Sequence, residues 1–438
     1  MNYESIYREK LCTIESLIEG IQSGETFATS VIPMTPQSFF NNLHMIREDV
    51  KGIEVFTILN PVPYDFFSKK EFEGRILNNC WFYGPGDRAA VDKGLNTVTY
   101  IPNNAHQAIA DLVSSRRIDY FVGSASTMDE HGFLTLSCSA FIEKDLIKAA
   151  RKVVLEVNPN APRTFGDSPI HISEVDHIIE VNNKLPEETL ITPTETEERI
   201  GEFIADLIED GSTIQMGIGG VPYAVSKLLY DKKDLGVHTE MLTEAMMELF
   251  NAGVITNSKK TLYQGKFVCA FVFGTQKLYD FVNNNPSVFV MSGSFTNDPY
   301  VLGKNYRMTS INAALMVDLT GQVCSEAIGT RHYSGTGGQL DTHRGAVQSA
   351  LNGLGGKGII ALRSTAKNGE VSKIVPFLPL GSPVTVPRQD IDYIVTEFGV
   401  AHLRGKTAYE RAKAMISIAH PDHRSTLESE ARKIGLLF

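Results

Sequence analysis

Two stretches of this 438-residue chain have residue types and spacing suited to chemistry that builds and steadies negative charge. A glycine turn, Gly217-Ile218-Gly219-Gly220, follows the strand-like run STIQM, and Glu240 lies in the next strand-like run, VHTEML. Glycines ahead of a helix leave backbone N–H groups open to an anion or a polarised carbonyl, helped by the helix dipole. Val221-Pro222 opens that helix, and Val225, Leu228 and Leu229 are expected on its buried face. A carboxylate near the carboxyl end of an adjacent parallel strand faces the same crevice. The pairing suits a nucleophilic glutamate opposite N–H donors that steady developing negative charge. By type alone, a mid-strand glutamate serves as readily as a solvent-facing residue or an ion-pair partner.

Other candidates are weaker. Ser334-Gly335-Thr336-Gly337-Gly338-Gln339-Leu340-Asp341, followed by Arg344, is a second glycine cluster that admits a ligand closely or forms a plain turn. Lys367, in Ser364-Thr365-Ala366-Lys367-Asn368-Gly369, follows a strand and reads as a phosphate or carbonyl partner or as an exposed loop lysine. Arg404-Gly405-Lys406-Thr407 resembles a P-loop, but its glycine spacing from Gly399 is one residue too long and it lies near the C-terminus. His420-Pro421-Asp422-His423 and Asp129-Glu130-His131 have ligand types without a partner cluster at zinc-like spacing, so no metal site is expected. No GxSxG nucleophile elbow occurs.

These residues need elements to hold them. The length favours two domains. Composition, 42% hydrophobic and 21% charged, is that of an ordinary globular protein, and a net charge of −10 argues against nucleic-acid binding. The N-terminal run lacks a signal-peptide layout, and no apolar run is long enough to span a membrane. Five dispersed cysteines without a CxxC pair fit buried thiols in a reducing compartment, so a cytoplasmic location is expected.

Residues 14–57 and 194–243 repeat one order: apolar-faced helix, glycine, strand, proline-bearing turn, helix, glycine, strand. Gly24 answers to Gly211, Pro36 to Pro222 and Gly52 to Gly236 at nearly constant offset, which points to two related α/β domains. Thr194 with Glu197 predicts a capping box at the start of the second copy. The polar, proline-bearing stretch 181–198 is the expected linker, giving domains 1–187 and 188–438. Where the second copy has its glycines, the first has Ile32-Pro33-Met34-Thr35, so only the second is built to hold an anion.

The chain resembles the acetyl-CoA hydrolase/transferase family along nearly its whole length, in the branch with 4-hydroxybutyrate CoA-transferase and butyryl-CoA:acetate CoA-transferase. The resemblance rests on Tyr100-Ile101-Pro102-Asn103, Met128-Asp129-Glu130-His131-Gly132, Glu156-Val157-Asn158-Pro159-Asn160, Pro162-Arg163-Thr164, Gly166-Asp167-Ser168, Gly217-Ile218-Gly219-Gly220, His238-Thr239-Glu240-Met241, Gly335-Thr336-Gly337-Gly338 and the run from Thr396 to Lys406. It implies two open α/β domains of the NagB/RpiA-like CoA-transferase fold with the active site between them, in a homodimer. It implies Glu240 as nucleophile and Asn297 as a polarising residue. Gly217, Ile218, Gly219, Gly220, Val221, Leu315, Gly338 and Lys367 fall at its CoA-binding positions. Acyl-CoA and short-chain carboxylates such as acetate would be the partners, with coenzyme A as substrate and no permanently bound cofactor. Relatives often carry small residues where this chain has Pro33-Met34-Thr35-Pro36, which leaves the acyl group open. Rival readings are an acyl-CoA hydrolase on the same scaffold and a non-catalytic acyl-CoA sensor.

Overall fold

Tyr120–Ala125 and Thr213–Met216 are buried at every position, as strands are when a parallel sheet is covered on both faces. The computed structural model describes residues 2–189 and 191–438. The chain divides into two compact units: residues 2–189 with Val268–Thr296, and residues 191–267 with Asn297–Phe438.

Unit 1 is built from β1 (Thr26–Thr29), α1 (Gln37–Asn42), β2 (Ile53–Thr57), β3 (Ile76–Cys80), α2 (Pro85–Asp92), β4 (Val98–Tyr100), β5 (Tyr120–Ala125), β6 (Lys152–Val157) and β7 (His177–Glu180). Its seven strands run parallel in the order β7-β6-β5-β1-β2-β3-β4. Aromatic side chains fill one face. The Phe27 ring lies 4.8 Å from that of Tyr120 and 5.3 Å from that of Phe39, and Phe40, Phe66 and Phe67 extend the cluster.

Unit 2 carries α3 (Glu195–Leu207), β8 (Thr213–Met216), α4 (Gly220–Lys227), β9 (Gly236–Leu242), β10 (Met308–Ala313), α5 (Gln339–Leu351), β11 (Lys357–Ala361), β12 (Tyr393–Thr396), β13 (Gly399–His402), α6 (Ala408–Ser417) and α7 (Pro421–Lys433). Its strands follow the order β13-β12-β11-β10-β8-β9, parallel except for the β12–β13 pair. Met415 and Leu427, on α6 and α7, close a core with Ile360 and Ile394.

The expected repeat is present down to single hydrogen bonds. β1 lies between β5 and β2 as β8 lies between β10 and β9, all parallel. Gly24 and Gly211 take φ +78° and +75°, and each donates its N–H to a lysine carbonyl, Lys51 at 3.0 Å and Lys233 at 2.8 Å. Those lysines' own N–H groups return to the preceding side chains, Ser23 Oγ at 3.1 Å and Asp210 Oδ1 at 2.8 Å.

The copies differ where the sequence differs. In unit 1 the first N–H groups of α1, from Ser38 and Phe39, donate to the Glu156 carboxylate at 3.1 and 2.7 Å. Unit 1 thus caps this helix with its own buried carboxyl group. On α4 the expected apolar face is shorter than predicted. Val225 and Leu229 are buried, but the helix ends at Lys227 and Leu228, beyond its last turn, is 42% exposed.

Candidate active site

β8 and β9 pair in parallel with Thr213 opposite Gly236 and Ile214 opposite Val237. The same register carried onward sets Gly217, just past the end of β8, level with Glu240 on β9, one strand spacing away. The glycines of the turn have different reasons to be there. Gly219 takes φ +117° with ψ 177°, a region only glycine enters freely. A methyl on Gly220 would stand 2.3 Å from the Glu197 carboxylate. At Gly217 nothing lies within 4 Å of such a methyl, so it borders open space. Ile218 is exposed at the turn's tip and Val221 is buried in the first turn of α4.

Glu197 forms the predicted capping box, its Oε2 accepting from Thr194 N–H and Oγ1, both at 2.9 Å. Its Oε1 accepts from Arg363 at 2.7 Å. The same carboxylate therefore caps the start of α3 and backs the start of α4.

Glu240 is partly buried on β9. Its Oε2 accepts a hydrogen bond from Asn297 Nδ2 at 2.5 Å, and Asn297 is fully buried with its Oδ1 unpartnered. Gly338, the N-cap of α5, closes on this pair: a methyl there would lie 2.0 Å from Glu240 Oε2 and 2.1 Å from Asn297 Nδ2. Its φ of −93° is open to any residue, so space alone demands glycine.

One face of α5 makes the approach possible. Gly345 follows Gly338 by two turns, and a methyl on it would stand 2.3 Å from Leu302 Cβ. Leu302 belongs to the short helix Pro299–Leu302, which Asp298 caps by accepting the Tyr300 N–H at 2.7 Å. The helix therefore lies flush against the segment that begins with Asn297.

Burial pushes the Glu240 carboxyl up to about 7; the Asn297 hydrogen bond pulls it down and the nearby Asp341 charge raises it. Asp341 is buried in the first turn of α5, on the side of the helix shared with Gly338. A carboxyl poised near neutrality is suited to nucleophilic or acid–base work.

Of the residues singled out in the sequence, Glu240, Asn297 and Gly338 meet directly, with Gly217 level beside them. Leu315 follows β10 and donates its N–H to Cys324 O at 3.0 Å. Lys367 is exposed at a hairpin tip between Thr365–Ala366 and Val371–Ser372, and Lys367, Asn368 and Gly369 all have positive φ. Neither touches Glu240 in the contacts described. Sequence reasoning did not single out the role of Asp341, the Glu197–Arg363 support or Gly345. The i, i+7 spacing of Gly338 and Gly345 was a usable signal for the last.

The weaker motifs have local duties. Thr407 N-caps α6 through a capping box with Glu410, and His420 N-caps α7 by accepting the Asp422 N–H. Asp129 Oδ1 accepts the N–H groups of His131 and Phe133 in a turn. Among the described residues no group of three or more His, Cys, Asp or Glu is arranged to hold a metal ion, and no helix is long and apolar enough to cross a membrane.

Parallel sheets in two units, the second presenting a carboxyl poised near neutrality among close-set glycines, define an α/β enzyme. The acetyl-CoA hydrolase/transferase N-terminal domain matches residues 1–187 and its C-terminal domain matches residues 274–431, and the chain belongs to that family. It is 43% identical to succinyl-CoA:cyclohexane-1-carboxylate CoA transferase of Geobacter metallireducens, over 99% of this chain and 98% of that protein. It is 42% identical to 4-hydroxybutyrate coenzyme A transferase of Clostridium kluyveri, over 99% and 100%. Among solved structures it matches RipA from Yersinia pestis across the whole of both chains, at 37% identity and a TM-score of 0.93. Two yeast proteins named acetyl-CoA hydrolase are more distant, at 26% and 24% identity over 73% of this chain. The chain is an enzyme of the CoA-transferase class.

Proposed function

We propose that this enzyme moves CoA between a short-chain acyl-CoA, 4-hydroxybutyryl-CoA or butyryl-CoA, and acetate, with Glu240 carrying the group between half-reactions. The observation that carries the reading is the Glu240 carboxyl, raised to about 7, bonded to Asn297 and crowded by Gly338. Passing CoA between acids without hydrolysis requires an enzyme group to hold the activated species. The Glu240 carboxylate attacks the acyl carbon; the C–S bond breaks, leaving a mixed anhydride and CoA thiolate. The thiolate then attacks the glutamyl carbon, the anhydride C–O bond breaks and the first acid departs as its carboxylate. Glu240 now holds CoA as a thioester, and acetate reverses the steps.

Each attack builds an oxyanion. Asn297 Nδ2 and the backbone at Gly338 serve the one on Glu240, and the 217–221 turn serves the one on the substrate, where losing a donor costs about 3–4 kcal/mol in the barrier. Leu315 and Lys367 are assigned to CoA itself, Lys367 by its charge. The domains are drawn at 1–187 and 188–438, the second carrying the nucleophile.

Initial rates with both substrates varied test the reaction. Parallel double-reciprocal lines are expected, with acetyl-CoA forming as the donor acyl-CoA is consumed and no net release of free thiol. Intersecting lines would replace this scheme by a ternary mechanism, and net release of free thiol from acyl-CoA without acetate would replace transfer by hydrolysis.

A further inference from the structure

In unit 2, β9 presents two side chains to one stretch of chain. His238 and Glu240 are two residues apart on the strand, so they stand on the same face, roughly 7 Å apart along it. Each is met by an asparagine from residues 297–305. Asn297 Nδ2 donates to Glu240 Oε2 at 2.5 Å, and Asn305 Nδ2 donates to His238 Nδ1 at 3.1 Å. Eight extended residues would reach about 26–29 Å. The helix Pro299–Leu302, with the turn closed by the Asn305 N–H on Leu302 O, folds the stretch so that both ends return to β9.

The second bond has a defined direction. Asn305 Nδ2 also reaches Leu302 O at 3.3 Å, which only a donor does, so His238 Nδ1 receives with its lone pair and the ring proton sits on Nε2. The imidazole is therefore neutral and adds no cation beside Glu240, whose carboxyl answers to burial, Asn297 and Asp341. α5 grips the same end from the other side. Ser349 Oγ donates to Asn305 O at 2.8 Å, and Asn352 Nδ2, just past the helix, donates to Gly303 O at 3.0 Å.

The two ends are thus held unequally. Residue 305 is fixed to both β9 and α5, whereas the Asn297 side chain has its one bond to Glu240 and an unpartnered Oδ1. With one bond of its own, Asn297 takes its direction from where the rest of the stretch is anchored. Asn305 is fully buried and its Oδ1 also lacks a partner, a free-energy cost that a leucine of like size would avoid. Packing alone has no use for that amide; the bond to His238 does. We propose that Asn305, through His238, is a positioning residue that sets Asn297 on the Glu240 carboxyl. Its kinetic consequences rest on Glu240 as the group that carries CoA.

Asn305→Leu keeps the volume and removes the donor. It is expected to lower kcat roughly 10- to 100-fold with KM for acyl-CoA nearly unchanged, as a small misplacement at the reacting group does. An enzyme lacking Asn297 has already lost what Asn305 supplies. The Asn297→Ala/Asn305→Leu pair is therefore expected to match Asn297→Ala alone. His238→Asn sets an amide oxygen near where Nδ1 stood and is expected to retain most of the kcat that His238→Leu loses. The Glu240 carboxyl is also titrated without turnover, by infrared difference spectra between the protein and Glu240→Gln across pH. Its midpoint, about 7 in the parent, is expected to rise in Asn305→Leu.

An unmoved midpoint in a folded Asn305→Leu protein overturns the positioning role, whatever the reaction proves to be. Losses in kcat that add in the double variant overturn it too, assigning Asn305 to the fold. Should Asn305→Leu not fold, the His238 variants decide, and equal losses in His238→Asn and His238→Leu overturn the role. A raised midpoint in an enzyme whose turnover survives Glu240→Gln upholds the positioning and removes the transfer mechanism through Glu240 instead.

Discussion

A carboxylate that must attack an acyl carbon gains basicity from burial but is ionised less of the time. Glu240 sits at that balance, its carboxyl near 7. Activity at low substrate, kcat/KM, is therefore expected to rise with pH through about 7, as the free enzyme's Glu240 ionises. Asn297→Ala should move this limb upward, because it removes the bond that favours the charged form. Asp341→Asn should move it downward by relieving the neighbouring negative charge. A limb that stays put in both variants would detach it from Glu240. The same shift bears on stability. The native state holds the Glu240 proton more tightly than the unfolded chain, so this stabilisation is present below the ordinary 4.5 and is lost as pH rises through 7. Glu240→Gln has no such proton to lose. At about pH 8 it is expected to melt above its parent while its turnover falls by at least ~10³-fold, read by calorimetry and by thiol exchange.

At the scale of elements, the site depends on how closely α5 can lie. Gly338→Ala forces a carbon into the Glu240–Asn297 bond and is expected to lower kcat/KM on the order of 100-fold while secondary structure by circular dichroism stays intact. In unit 1, Glu156→Ala should unpair two N–H groups at the start of α1 and destabilise the chain by about 2–4 kcal/mol in denaturant titrations. The sequence disclosed much of this scale. Glycine, proline and apolar spacing located β8, α4 and β9, and the Thr194–Glu197 box marked the start of α3. Sheet order was not legible, because a buried apolar run such as Tyr120–Ala125 does not say which strand it pairs with. Nor was the meeting of Glu240 with Asn297, 57 residues on, or with Gly338, readable without the family resemblance. Local pattern reports periodicity, whereas these contacts depend on how helix and sheet stack. Leu228 was misplaced because propensity does not mark where a helix ends.

Across the whole molecule, one architecture has been used twice with opposite treatment of the same feature. Unit 1 caps its helix start internally with Glu156, and unit 2 leaves a glycine turn beside Glu240. That asymmetry was visible in the sequence as Ile32-Pro33-Met34-Thr35 against Gly217-Ile218-Gly219-Gly220. On the proposed mechanism the covalent step falls in unit 2, and CoA is expected to become bonded to a single residue of the chain. The direct measurement is to incubate the protein with acyl-CoA, treat it with borohydride and follow both activity and the mass of the peptide containing Glu240. The account predicts acyl-CoA-dependent inactivation, with the Glu240 carboxyl reduced to an alcohol and CoA released as thiol. Full activity after that treatment, with an unmodified Glu240 peptide, would contradict it.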